Sequence, residues 1–350
     1  MHLGGAAAFV SVAAAAERSA RAGAMRSAGS AEGSKHVTRW CILGRMTNRT
    51  RALAVALLGL AVTVGACAPA MRVGPGPGRS ELATLRRGAT LGDVAEQFHL
   101  GYIELVAANP GIDPWLPGKG TQVVLPLVHL PPSAEHEGIV VNLADLRLYY
   151  FVGRKLVRSY AIGVGRDGLS TPLGKTTIAR KEANPSWRPT ARMRKEDPDL
   201  PEVVPPGPDN PMGGRALYLG WRPYAIHGTN KPPGVGRRVS SGCIRMYTTD
   251  IEDLYARVDI GTKVTVVDQP VKLAWLDGEL YVEAHPTQRE SSALQDGKPQ
   301  SPKAAPLTSS IRAEVRAAAA KDASRVDWKA VEAAVRERRG YPVRVTRPGA

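Results

Sequence analysis

The sequence predicts an α+β protein, mainly β, in which a small βααβ module precedes a β-sandwich-like domain. Three observations predict it. Between residues 81 and 127, "TLGDVAEQF" and "YIELVAANP" carry apolar residues at helical spacing, and "TQVVLP" closes the segment as a strand. From Gly138 the pattern becomes an alternation of apolar and polar residues, cut into short strands by turn signals. With 36 Gly and 28 Pro in 350 residues there are turns enough for such a chain, and a hydrophobic fraction of 43% suits a globular core.

Taken in order, the first strongly apolar run is Ala52–Cys67, "ALAVALLGLAVTVGAC". It is too short to span a bilayer comfortably and follows Arg49 and Arg51, the arrangement of a secretory signal. Residues 46–66 therefore read as a signal peptide. Residues 1–45 are a low-complexity leader, and translation is expected to begin at Met46, with Met25 as the other choice. The end of the run, "VGAC", resembles a bacterial lipobox, which implies lipidation of Cys67 at the mature N-terminus. Cleavage after "ACA", with an incidental cysteine, is the alternative. Residues 67–80 are a Gly/Pro tether.

In the module, Leu91, Val94, Ala95 and Phe98 share one helical face, and Ile103, Val106 and Ala107 line a second helix that Asn109–Pro110 stops. The next domain is assigned to 137–268. Its first strands, "GIVVNLADLRLYYFVGRKLVRSYAIGVG", turn at Ala144–Asp145 and Gly153–Arg154, and "GKTTIARKEAN", "RALYLGW" and "YAIHGT" follow. The long Pro-rich "WRPTARMRKEDPDLPEVVPPGPDNPMGG" is expected to be a lid or a substrate wall. "TTDIEDLYARVDIG" is a helix capped by Thr249 or Asp250, with Ile251, Leu254 and Val258 on one face. Residues 269–286 add strands paired around Asp277–Gly278. Residues 287–310 read as a disordered linker, and 311–350 as a basic helical tail with a solvated face.

The net charge of +15 permits an anionic partner, but the basic residues are dispersed and aromatics make up only 5%. No RNA-recognition, zinc-finger or helix-turn-helix pattern accompanies them, so nucleic acid is not the expected partner. Of three cysteines, Cys41 falls in the leader and Cys67 is the lipid acceptor. Cys243 then stands alone in an exported chain, where an odd cysteine pairs between molecules or is a reactive thiol. His227 ends a predicted strand, and Cys243 opens the next element after the loop "GTNKPPGVGRRVSS". Such a return places an imidazole beside the sulfur, the base that a thiol needs to attack as thiolate. Gly242 lets the chain turn tightly, so that its amide and that of Cys243 face one oxyanion. Arg245 is placed for a carboxylate or for holding the loop. Taken alone, the pair fits a buried structural cysteine beside an unrelated histidine at least as well. The remaining histidines His99, His129, His136 and His285 have no metal-ligand spacing.

"YAIHGTN…VSSGCIRM" resembles the active-site signature of YkuD-type L,D-transpeptidases, specifically the ErfK/YbiS/YcfS/YnhG group. The resemblance runs from about Leu85 to His285 and takes in "STPLGKTTIARK" and "PPGPDNPMGGRALYL". Within 81–127, "RRGATLGDVAEQF", "VAANP" and "LPGKGTQVVLP" resemble a LysM domain, which implies binding to peptidoglycan glycan. For the site, the resemblance implies Cys243 as nucleophile, His227 as general acid/base and the Gly228 carbonyl as the group that fixes the imidazole tautomer. Gly242 and Cys243 amides would hold the oxyanion, and Arg245, Ser240 and Ser241 would meet substrate. Many members have His directly before Gly-Cys, where this chain has Ser241, a change expected to touch substrate positioning and to leave the Cys–His pair intact.

The reaction so implied needs no metal or organic cofactor. Cys243 attacks the third residue of a tetrapeptide stem, D-alanine leaves, and an amine resolves the thioester. That amine is a second stem or a lysine of an outer-membrane lipoprotein; water would make the enzyme a carboxypeptidase. The chain is expected in the cell envelope, periplasmic and lipid-anchored. Ala68 after Cys67 favours the outer membrane. A non-catalytic peptidoglycan-binding lipoprotein and a Cys–His peptidase are the alternative readings.

Overall fold

The computed structural model describes residues 81–298 and 307–347. The leader, the signal, Cys67, the tether and part of the expected linker lie outside the described residues.

The first module has the order β1 (Glu81–Thr84), α1 (Leu91–Phe98), α2 (Tyr102–Ala108) and β2 (Gln122–Leu125). β1 and β2 pair antiparallel. Thr90 starts α1 through a reciprocal cap: its hydroxyl accepts the Asp93 N–H at 3.1 Å, and the Asp93 carboxylate accepts the Thr90 N–H at 2.8 Å. α1 buries Leu91, Val94 and Ala95, the apolar face read from its spacing, whereas α2 is buried along its whole length.

The central domain contains β3 (Gly138–Asn142), β4 (Arg147–Val152), β5 (Lys155–Ala161), β6 (Val164–Gly165), β7 (Gly174–Ala183), α3 (Ala191–Glu196), β8 (Arg215–Leu219), β9 (Ala225–His227), β10 (Arg238–Ser240), β11 (Ile244–Arg245), α4 (Thr248–Arg257) and β12 (Lys263–Val267). Eight strands form one mixed sheet in the order β11-β9-β8-β7-β12-β3-β4-β5, and β6 pairs with β10 beside it. β12 runs parallel to β3, and β11 parallel to β9. Apolar alternation along β3, β4 and β12 sends Ile139, Val141, Leu148, Val264 and Val266 into the main core. Leu91, Leu105 and Val123 of the first module join that same core. α4 buries Ile251 and Leu254, but its N-cap is Tyr247 and not Thr249 or Asp250. Asp250 is engaged instead with His99 Nδ1, at 2.8 Å.

The C-terminal part departs most from expectation. β13 (Val271–Leu276) and β14 (Glu279–Ala284) pair across Asp277–Gly278, both with positive φ, the two-residue hairpin that the sequence signals. Residues 288–295 are not disordered linker but a helix, α5 (Gln288–Gln295), capped by Thr287 with Glu290. Its Leu294 enters the main core, and Ser291 is buried. One leucine suffices because α5 closes the remaining face of α2, which explains why α2 has no solvated side. The tail is likewise not a solvated helix. α6 (Ser309–Ala319) and α7 (Trp328–Glu337) pack Val315, Ala319, Val331 and Val335 on Val271, Leu280 and Val282, and β15 (Val343–Arg344) adds a third strand. The apolar face of the β13–β14 hairpin requires a cover, and the valines of these helices supply it.

Where the three parts meet lies a buried polar network. Glu104 of α2 accepts from Arg147 of β4 at 2.9 Å and faces His129 Nε2 at 2.8 Å. His129 Nδ1 faces Glu283 of β14 at 3.0 Å. Lys272 of β13 donates to Asp145 at 2.7 Å, to Glu283 at 2.8 Å and to the Tyr149 hydroxyl at 2.8 Å. Every polar donor and acceptor so placed has a partner, as burial of charge requires.

Candidate active site

β9 and β11 deliver the two residues singled out in the sequence. Ile244 lies opposite Ile226 and Arg245 opposite His227, so Cys243 enters the ladder level with Ala225. Strand alternation then puts Cys243, Arg245, Ala225 and His227 on one face. Cys243 is a half-buried free thiol packed against Met212, Ala216 and Ala225, together with Trp187 and Tyr218. His227 is buried, at 5% exposure.

The His227 ring is oriented by backbone. Its Nδ1–H donates to the Gly228 carbonyl at 2.6 Å, which leaves Nε2 as the basic nitrogen. Burial pushes the His227 pKa down to about 4; the Gly228 and Met212 carbonyls oppose this, and Arg245 adds to it. Burial raises the Cys243 thiol, and the Ala225 backbone and Arg245 act in the other direction. The resting pair is therefore neutral imidazole and neutral thiol. Sγ lies 3.9 Å from the Pro223 carbonyl, and among the described residues no hydrogen bond joins it to His227. Catalytic hydrogen bonds are commonly long in a free enzyme and tighten when substrate binds.

The turn carrying Cys243 is fixed by two buried hydroxyls. Ser240 Oγ accepts the Gly242 N–H at 3.1 Å and donates to the Cys243 carbonyl at 2.5 Å. Thr171 Oγ donates to the Gly242 carbonyl at 2.8 Å and accepts the Gly165 N–H at 3.1 Å. Ser240, expected to meet substrate, is 2% exposed and staples the turn. The Gly242 amide, expected to hold an oxyanion, donates to the Ser240 hydroxyl. Gly242 has φ 104°, and a Cβ there would stand 2.5 Å from the Tyr224 ring, so only glycine fits.

Ser241 points the other way, and its Oγ accepts from Arg192 Nη2 at 2.8 Å. Arg192 belongs to α3, inside the Pro-rich segment expected to be a lid or wall. That segment is ordered by a two-way backbone bridge between Trp187 and Val204 and by Asn210, whose fully buried amide donates to the Pro185 carbonyl at 2.7 Å. It packs Trp187 on the same Met212–Ala216–Ala225 cluster that Cys243 packs on. Arg245 is half-buried, with no carboxylate at ion-pair distance among the described residues and with Nε buried without a partner. Thr171, Arg192, Trp187 and Tyr224 were not singled out from the sequence. "STPLGK" entered only as part of a resemblance, and nothing in it says that its threonine is buried against the Gly242 carbonyl.

Asp145, Glu283 and His285 gather closely enough to suggest a metal centre. The Lys272 ammonium already sits among them, on Asp145 and Glu283, so the chain's own cation takes the place between the carboxylates.

The mixed sheet thus brings an unpaired cysteine and a backbone-oriented histidine to neighbouring parallel strands. Comparison with known proteins gives the family. A model of the YkuD L,D-transpeptidase catalytic domain matches residues 136–266. "Probable L,D-transpeptidase YbiS" of Escherichia coli K12 is 40% identical over 277 residues, covering 77% of this chain and 88% of that protein. "Probable L,D-transpeptidase YcfS" of the same strain is 40% identical over 270 residues, covering 74% and 81%. "Probable L,D-transpeptidase ErfK/SrfK", also from that strain, is 40% identical over 259 residues, covering 72% and 81%. The chain belongs to the L,D-transpeptidase family.

Proposed function

We propose that this L,D-transpeptidase works through a thioester on Cys243, releasing D-alanine from a peptidoglycan tetrapeptide stem and passing the stem to an amine. The observation that carries the reading is His227, its Nδ1–H tied to the Gly228 carbonyl, one parallel strand away from an unpaired thiol. His227 Nε2 takes the thiol proton as sulfur attacks the carbonyl of the third stem residue. The tetrahedral intermediate collapses, the imidazolium protonates the departing amine of D-alanine, and the thioester remains. The incoming amine loses its proton to His227 as it attacks, and the thiol is re-formed. Arg245, a half-buried guanidinium without a carboxylate partner, suits a carboxylate of the donor stem.

The βααβ order of residues 81–125, with Trp115 and Leu116 exposed beside it, supports a LysM-type grip on the glycan strand. The apolar run ending at Cys67 supports a lipid anchor and a periplasmic position facing the wall, the outer membrane being favoured. A second stem or a lipoprotein lysine is the acceptor. Cys243→Ala tests the core of the reading. It is expected to abolish both D-alanine release and the mass adduct that a carbapenem leaves on the protein. Continued release by the variant would assign the nucleophile elsewhere.

A further inference from the structure

We infer that Thr171 is a positioning residue for acyl transfer: its buried hydroxyl sets the Gly242–Cys243 peptide so that the Cys243 N–H, and not that of Gly242, is the oxyanion donor. The inference rests on Cys243 being the nucleophile. It follows from hydrogen-bond direction. The Gly165 N–H can only donate, so the Thr171 hydroxyl accepts there and has its one proton left for the Gly242 carbonyl. With Thr171 only 3% exposed, no water competes for that proton. A trans peptide is planar, with C=O and N–H on opposite sides. Pinning the Gly242 carbonyl to Thr171 therefore turns the Cys243 N–H away from Thr171.

The neighbouring peptide points the other way round. Ser240 Oγ takes the Gly242 N–H, so the Ser241–Gly242 peptide has its donor inside the turn. Ser240 also holds the Cys243 carbonyl, which fixes the residue on its C-terminal side. Of the two amides at the turn, one is consumed and one is aimed outward. The aimed donor belongs to the residue that carries the sulfur, so it lies next to the carbon that the sulfur attacks. A donor fixed beforehand needs no reorganisation when charge develops on the carbonyl oxygen, which is where electrostatic stabilisation acts most strongly.

The test compares two reactions of the same thiol in the full chain. Acylation by a carbapenem forms the S–C bond while the lactam carbonyl becomes an oxyanion, and ring opening follows. Alkylation by iodoacetamide forms an S–C bond with loss of iodide and develops no oxyanion. Thr171→Val removes the proton donor at nearly constant volume. It is expected to slow acylation about 10- to 100-fold, below the roughly 10²–10³ cost of losing an oxyanion donor outright. Alkylation should stay within about twofold of the parent, and Thr171→Ser should restore acylation, because it keeps the hydroxyl. If the valine variant does not fold, Thr171→Ala is read in the same way. Acylation at the parent rate in the hydroxyl-free variant would overturn the inference, as would a parallel fall in both reactions or a serine variant as slow as valine. Cys243→Ala run alongside separates the outcomes: an adduct on that variant would remove the nucleophile reading itself.

Discussion

A buried neutral imidazole and a half-buried neutral thiol have a different pH signature from a preformed ion pair. His227 is held down to about 4 by burial, so it remains a competent base well into acid. The acid limb of kcat/KM for acylation is expected near pH 4 to 5, and a limb at the usual imidazole value of about 6.5 would contradict the neutral pair. The same depression affects stability. The unfolded chain takes up a proton at His227 below about pH 6.5 and the folded chain only near 4, so this contribution is complete above 6.5 and lost as pH falls through 4. Gly242→Ala should be worse for activity than for folding. The added Cβ meets Tyr224 at 2.5 Å and the backbone is held at φ 104°, so roughly 1–3 kcal/mol of strain falls on the nucleophile's own turn. Tm and acylation rate measured together check this; a variant with parent-like acylation would refute it. Cys243 and His227 stood out in the sequence as an unpaired thiol and a histidine at the end of a strand. Their expected roles came from the resemblance, since the pair alone fits a structural cysteine as well. The roles of Thr171 and Ser240 were not legible, because a hydroxyl's meaning lies in its burial, and only the folded turn supplies that.

The elements divide in the same manner. β3, β4, β7, β8, β9 and α1 follow from alternation or helical spacing, since each has one face to bury. α5 escaped because its sequence, "QRESSALQ", is polar and contributes one apolar contact; its need arises from α2, which has two faces to cover. The cap of α4 was misplaced for a related reason, since Asp250 serves His99 of the first module instead of its own helix. Leu294→Ala should therefore cost about 2–5 kcal/mol, as a core leucine does, although it sits in a stretch that reads as a linker. Chemical denaturation checks it. A loss below about 0.5 kcal/mol would mean that α5 is dispensable, as surface substitutions are.

At the scale of the molecule, the three parts are joined through charge that no sequence pattern announces. His129 lies between Glu283 on Nδ1 and both Glu104 and the Pro126 carbonyl on Nε2, at 3.0, 2.8 and 2.8 Å. All are acceptors, and a neutral ring has a single N–H, so the geometry calls for imidazolium. Charge agrees: Glu104, Glu283 and Asp145 face Arg147 and Lys272, and His129 supplies the third positive charge. Burial and Arg147 push His129 down, but Glu104 and Glu283 outweigh them and its pKa is raised. A raised pKa gives stability that is complete below the unfolded value of about 6.5 and lost as pH rises through the folded one. Burial opposes the ionisation of Glu104, yet Arg147 and His129 hold it down to about 2, so acid reaches the junction late. His129→Gln leaves a buried carboxylate uncompensated and should cost about 3–5 kcal/mol near pH 6. At a pH above the raised folded value, where the parent has itself lost the imidazolium charge, the gap between the two proteins should narrow. Urea unfolding of both at the two pH values decides the matter. An equal gap at both would mean that His129 does not titrate across this range, and the charge joining the three parts would then rest on the Glu104–Arg147 and Lys272–Asp145 pairs.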